Sequence, residues 1–154
     1  MPNATLRTPG KLNTLQVPVA RGAYAADSTY SVPASTPVGH EIVFCRIPTS
    51  ARINGVSRLL NDALGTSVTM SIGLKAVGGN FTTSNTAIAA ATAVATAGSF
   101  TIPGDHANAG KMVWELLGLA SDPGGFADVI GVTAGATTTA SAQDVTLALV
   151  YTVD

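Results

Sequence analysis

Charge is what this chain has least of. Its 154 residues carry 8 Lys and Arg and 9 Asp and Glu, or 11% of the sequence, under half of the roughly 25% usual in a soluble domain. A folded monomer of this length exposes roughly 7,000 Å², so each charge has about 400 Å² to itself. The basic residues, from Arg7 to Lys111, are scattered singly, and the net charge is −1. Neutralising phosphates takes a clustered excess of Lys and Arg, so no nucleic-acid partner is expected.

Aromatic residues are scarce too, with one Trp, three Tyr and four Phe. That is thin material for a base-stacking platform or for the aromatic lining of a polysaccharide-cleaving cleft. A single cysteine, Cys45, permits no intrachain disulfide, and within Ile42-Val43-Phe44-Cys45 it reads as a small buried hydrophobe. No apolar run is long enough to cross a bilayer as a helix, so no membrane partner is expected. Met1 to Gly10 is polar and lacks the apolar stretch of a secretory signal, which predicts synthesis and assembly in a cytoplasm.

Chemistry-bearing motifs are equally sparse. The segment from Gly104 to Met112 comes nearest to a phosphate loop, but it spaces its glycines by five residues and follows Lys111 with Met, where a magnesium-holding hydroxyl is required. Two histidines are too few for a His-rich metal site. His40 beside Glu41 and His106 beside Asp105 are adjacent pairs, which on a strand point to opposite faces. No G-x-S-x-G elbow is present. Nine acids leave a carboxylate pair of the glycosidase kind open, which keeps a small hydrolase as a third reading. The expectation is no enzyme activity, no catalytic residue, no cofactor and no metal.

What fills the chain instead is Ala, Thr, Ser and Gly around regularly placed aliphatics. Prolines at 2, 9, 18, 33 and 37 predict an extended N-terminal arm over residues 1–37, since proline blocks helices and central strands. Leu6, Leu12, Leu15, Val17, Val19, Tyr24 and Tyr30 make this arm too apolar for a free tail. They are the candidate interface residues. The arm either folds back on its own domain or lies on a neighbour.

Residues 38–154 read as a β-sandwich domain. His40 to Ile47, ended by Pro48, predicts a strand buried on both faces. Ala51 to Leu60 predicts one continuous strand, with a hairpin turn at Asn54-Gly55 as the alternative. Residues 61–66 predict a turn. Ser67–Ala76 and Asp144–Val153 alternate cleanly, as half-buried antiparallel strands do, and a further strand is expected near Ala127–Thr133. Ser84–Ala97 leans to helix on its Ala content. Lys111–Leu117 predicts one or two helical turns stopped by Gly118. Trp114 is expected in the core, with an interface anchor as the alternative.

In order and texture, three segments resemble the head decoration, or cement, proteins of tailed bacteriophages. They are Glu41 to Pro48 with Ala51-Arg52-Ile53 and Asn61 to Gly65; Val68 to Leu74; and Gly110 to Leu119 with Ser121-Asp122-Pro123, leading to the closing Tyr151-Thr152-Val153 strand. The resemblance covers about residues 38 to 154. It implies an all-β, antiparallel, jelly-roll-like sandwich that binds the outside of a virion capsid, bridges major capsid protein subunits and assembles with itself as a dimer or trimer. A tail or head-fibre component that binds a host glycan or receptor is the competing reading. It would use exposed aromatics converging on loops, from among Tyr24, Tyr30, Phe81 and Phe126.

Overall fold

The computed structural model describes residues 22–153. Among the described residues nine strands run in chain order: β1 Gly22–Val32, β2 Glu41–Pro48, β3 Ala51–Ile53, β4 Arg58–Asn61, β5 Thr69–Ala76, β6 Ser84–Ala93, β7 Gly98–Thr101, β8 Phe126–Ala134 and β9 Gln143–Val153. One sheet has the order β1-β9-β4-β7, with β3 also on β9; the other has the order β2-β8-β5-β6. Every pairing is antiparallel. With β3 and β4 taken as one interrupted strand, this is the eight-stranded double Greek key of a jelly roll.

The alternation that predicted strands also sets the core. Val145, Leu147 and Leu149 of β9 and Met70, Ile72 and Leu74 of β5 are buried with Ile42, Ile47, Ile53, Leu59 and Ile88 in one cluster between the sheets. At one end the connections interlock through backbone bonds. Ser35 N donates to Thr139 O (2.7 Å), Thr138 N to Thr36 O (3.0 Å), Thr139 N to Leu64 O (2.9 Å) and Leu64 N to Val94 O (3.0 Å). At the other end lies the long β7–β8 connection, which carries a 3-10 turn at His106–Asn108 and the short helix α1, Val113–Leu116.

Four expectations are revised. Residues 22–32, expected within an extended arm, form β1 and pair along their whole length with β9, from Gly22↔Val153 to Val32↔Gln143. The prolines explain this, because Pro18 and Pro33 bracket a proline-free stretch, and an edge strand needs only one paired side. Strand β2 is not buried on both faces. It is the edge of its sheet, with Ile42 and Ile47 buried and Val43 51% exposed.

The expected strand Ala51–Leu60 does follow β9 throughout, but it is interrupted. Ile53 pairs with Tyr151 and Arg58 with Ala148, so five steps of chain face three and residues 54–57 bulge out. Asn54 shapes the bulge: its Oδ1 accepts from Val56 N (3.0 Å). Ser57 closes it, with Oγ donating to Val150 O (3.0 Å) and accepting from Val150 N (2.9 Å). The Asn54-Gly55 turn therefore exists without reversing the chain.

Finally, Ser84–Ala97 is not helical. Its two large aliphatics, Ile88 and Val94, would stand about 120° apart on a helix, too far round to mark one narrow apolar stripe. Paired with β5, the segment instead buries Ala87, Ile88 and Ala89. The helix α1 falls where the i,i+4 pattern predicts. Gly118 at φ +72° ends it as Gly118 N donates to Glu115 O and Leu119 N to Trp114 O, the pairing of a Schellman stop.

Candidate interaction surface

Of the candidate interface residues, Leu6, Leu12, Leu15, Val17 and Val19 lie outside the described residues. Tyr24 and Tyr30 are on the inner-facing row of β1, at the sandwich side where β1 and β2 are the two sheet edges. Tyr24 is 47% exposed and stacks on Tyr151, with ring centroids 5.4 Å apart. Tyr30 OH lies 3.2 Å from His40 Nε2. Six strand residues, about 20 Å, separate the two tyrosines.

Phe126 is half exposed at the start of β8, and Phe81 packs against the core. Asn80 ties that end together, its Nδ2 donating to Gly124 O and Phe126 O, each at 3.1 Å. Tyr24 and Tyr30 are thus well apart on β1, while Phe81 and Phe126 lie at one end, joined through Asn80. Trp114, expected in the core, is half-buried instead, and its indole N–H donates to Met112 Sδ (3.1 Å). Val113 is the fully buried residue of that helix.

The phosphate-loop-like segment is closed on itself. Asp105 Oδ1 accepts from Asn108 N (2.9 Å), and Lys111 Nζ donates to Asn108 Oδ1 (3.1 Å). Glu115 is likewise occupied, accepting from Met112 N (2.7 Å). No group of three or more His, Cys, Asp or Glu able to hold a metal occurs among the described residues. A depression of about 210 Å³ lies at Arg52, Asn54, Gly55, Gly110 and Thr152, and Arg52 Nη1 donates to Gly110 O across it.

Strand β2 carries a bulge that sorts its side chains. Val43 pairs with Ile130 and Cys45 with Val129, which leaves Phe44 as the extra residue. Phe44 and Cys45 therefore both turn inward, while Arg46 points out toward Asp128. Desolvation by burial, with the nearby Asp128 carboxylate, pushes the Cys45 thiol up to about 11. Cys45 is half-buried against the core, close to the inert small hydrophobe expected.

The outer faces of the two sheets differ. On the β2-β8-β5-β6 face, Lys75 Nζ donates to Glu41 Oε1 (2.5 Å), and Arg46 grips Asp128 with two bonds of 2.7 and 3.1 Å. The Asp128 contact raises the Arg46 pKa further, through the hydrogen bond first and the charge second. Ile130, between Val43 and Gly73 on this face, is fully buried yet stands apart from the central core cluster. Beside it the start of β6 lies close over Gly73: a Cβ there would lie 2.2 Å from Ser84 O and 2.6 Å from Asn85 Cα.

The β1-β9-β4-β7 face is made mostly of small side chains. Cross-strand rows run Asp27–Ala148–Arg58–Thr101 and Thr29–Thr146–Leu60–Ser99. Thr29 and Thr146 share a hydroxyl bond of 2.8 Å. Leu60 is 43% exposed and Val56, in the bulge, 64%. Asp27 and Arg58 are exposed, and neither makes an ion pair or side-chain hydrogen bond among the described residues. Sequence reading missed this arrangement because it placed Asp27 in an arm; the alternation of residues 24–30 was the available signal.

Topology and site together define an antiparallel jelly-roll module whose distinctive features are surfaces. No family model matches the chain, and no curated protein matches it. Two solved structures share its fold. A chain in the capsid asymmetric unit of cyanophage Pam1 is 17% identical with a TM-score of 0.61, over 86% of this chain and 85% of that one. A chain in the capsid of Ralstonia phage GP4 is 19% identical with a TM-score of 0.61, over 86% of this chain and 84% of that one.

Proposed function

We propose that this protein is a structural component of a phage virion that binds the outside of the capsid and stabilises it by bridging major capsid protein subunits. The observation that carries this reading is the jelly roll shared, over 86% of the chain, with chains from two phage capsids. The outer face of mostly Ala, Thr, Ser and Val side chains supports it, because such a surface loses less on desolvation than one rich in Lys and Glu. A shell also repeats the same partner surface, so modest contacts add through effective concentration. Self-association as a dimer or trimer is part of the proposal. So is a contribution of Leu6, Leu12, Leu15, Val17 and Val19, with Tyr24 and Tyr30 beyond them, to contacts with neighbours.

The test is to prepare particles with and without this chain and heat them while monitoring genome release. Particles lacking the chain are expected to release at lower temperature, and adding purified protein back is expected to restore them. Unchanged heat resistance overturns the proposal. So does imaging that places the chain on the tail, the outcome a receptor-binding fibre component requires.

A further inference from the structure

The β1-β9-β4-β7 face holds two exposed, unpaired, opposite charges in one cross-strand row. Asp27 on β1 and Arg58 on β4 both pair with Ala148 of β9, one from each side. Each stands one strand spacing, about 5 Å, from Ala148. Within one chain the two make no ion pair. A second copy changes that. Two such faces stacked about a two-fold axis that runs along β9 at Ala148 carry Asp27 of each copy over Arg58 of the other. An axis running across the strands would set Asp27 against Asp27, so the charge order selects the lengthwise axis.

We infer that the outer face of the β1-β9-β4-β7 sheet is a two-fold, self-complementary docking face for a second copy of this chain, fixed by reciprocal Asp27–Arg58 pairs. The small side chains between the charges let the sheets approach closely, and exposed Leu60 meets Thr29 of the partner row under the same operation. Asp144 lies on the same face about 13 Å along β9 from Ala148, where the roughly 30° twist of aligned sheets carries it off the axis. The face measures about 19 by 30 Å, so two copies bury just over roughly 1,000 Å², the lower limit for a specific interface. Association is therefore weak in solution and strengthened where copies are held together. This inference deepens the self-association part of the proposed function and rests on that part alone; shell binding is decided by the separate particle assay.

Sedimentation of the full chain from about 5 to about 500 µM tests it. The wild type is expected to pass from monomer to dimer. Asp27→Arg and Arg58→Asp should each weaken that association at least about tenfold by setting like charges together. Their thermal unfolding should match the wild type, since both residues are exposed and unpartnered. An equimolar mixture of the two variants, whose charges complement at both contacts, should recover dimer. Ala148→Glu, on the axis, should abolish dimer by itself. A wild type that stays monomeric, a trimer, or a mixture that fails to recover dimer overturns the inference. Loss of shell binding by Arg58→Asp in a monomeric wild type would instead assign this face to the capsid.

Discussion

The two outer faces of this sandwich come from the same composition and end in opposite states. On the β2-β8-β5-β6 side, Glu41 is bonded to Lys75 and Arg46 to Asp128, and the aliphatic between them, Ile130, is fully buried. On the β1-β9-β4-β7 side, Asp27 and Arg58 have no partner among the described residues, and Leu60 and Val56 are exposed. Each face carries about as many charges as the other, so sparse charge alone does not say which one is covered. Pairing does, because a surface that has satisfied itself has less to gain from a partner.

The largest test of this contrast is Gly73. It lies where the start of β6 crosses the outer face of β5, and an added Cβ would stand 2.2 Å from backbone. Backbone gives way less readily than a side-chain tip, so Gly73→Ala is expected to cost about 3 kcal/mol by overpacking, read as a lower denaturant midpoint. Ile130→Ala is the next step down. Although Ile130 sits on an outer face, it is expected to cost about 2 to 3 kcal/mol, as a core residue does. A loss under about 0.5 kcal/mol, the value for an ordinary surface site, would show that this face is open and the contrast false.

Much of the sandwich was legible because half-buried strands write their facing into a period of two. Val68, Met70, Ile72 and Leu74, and Val145 to Val153, each announced a strand and its inner face. Gly118 announced a helix stop. What stayed illegible were features set by pairing rather than by local pattern. Ser84 to Ala93 has a helical composition and became a strand because β5 offered a free edge. Asp27 gained its meaning from Ala148 and Arg58, 121 and 31 residues away, through register alone. The bulge at Phe44 turned a run that looked buried on both sides into an edge strand with separate inner and outer residues.

That bulge can be checked through the thiol. With the Cys45 pKa moved from 9.0 to about 11, its thiolate fraction at pH 8 falls about a hundredfold, and alkylation of native protein is expected to slow by a similar factor relative to unfolded chain. The sign follows from protonation: the folded state favours the neutral thiol, so its contribution to stability is complete below pH 9 and is lost as pH rises through 11. Native protein that alkylates as fast as unfolded chain would place Cys45 outward, beside Val43. Smaller again is Leu60→Ser, expected to leave the stability of the isolated chain within about 0.5 kcal/mol. If this opposite face were also sealed, the same substitution would cost several times more.

The smallest effect is the most informative about charge. A double-mutant cycle on Arg46 and Asp128, with Arg46→Gln and Asp128→Asn, is expected to give a coupling of about 0.5 kcal/mol that shrinks with added salt, since Arg46 is more than half exposed. The same cycle on Asp27 and Arg58 should give no coupling in the stability of the monomer, because the two form no ion pair within one chain. Coupling in unfolding on one face, and in association on the other, would separate charges that hold this chain to itself from charges that hold it to a second copy. Equal coupling in monomer stability on both faces would remove the distinction on which the docking face rests.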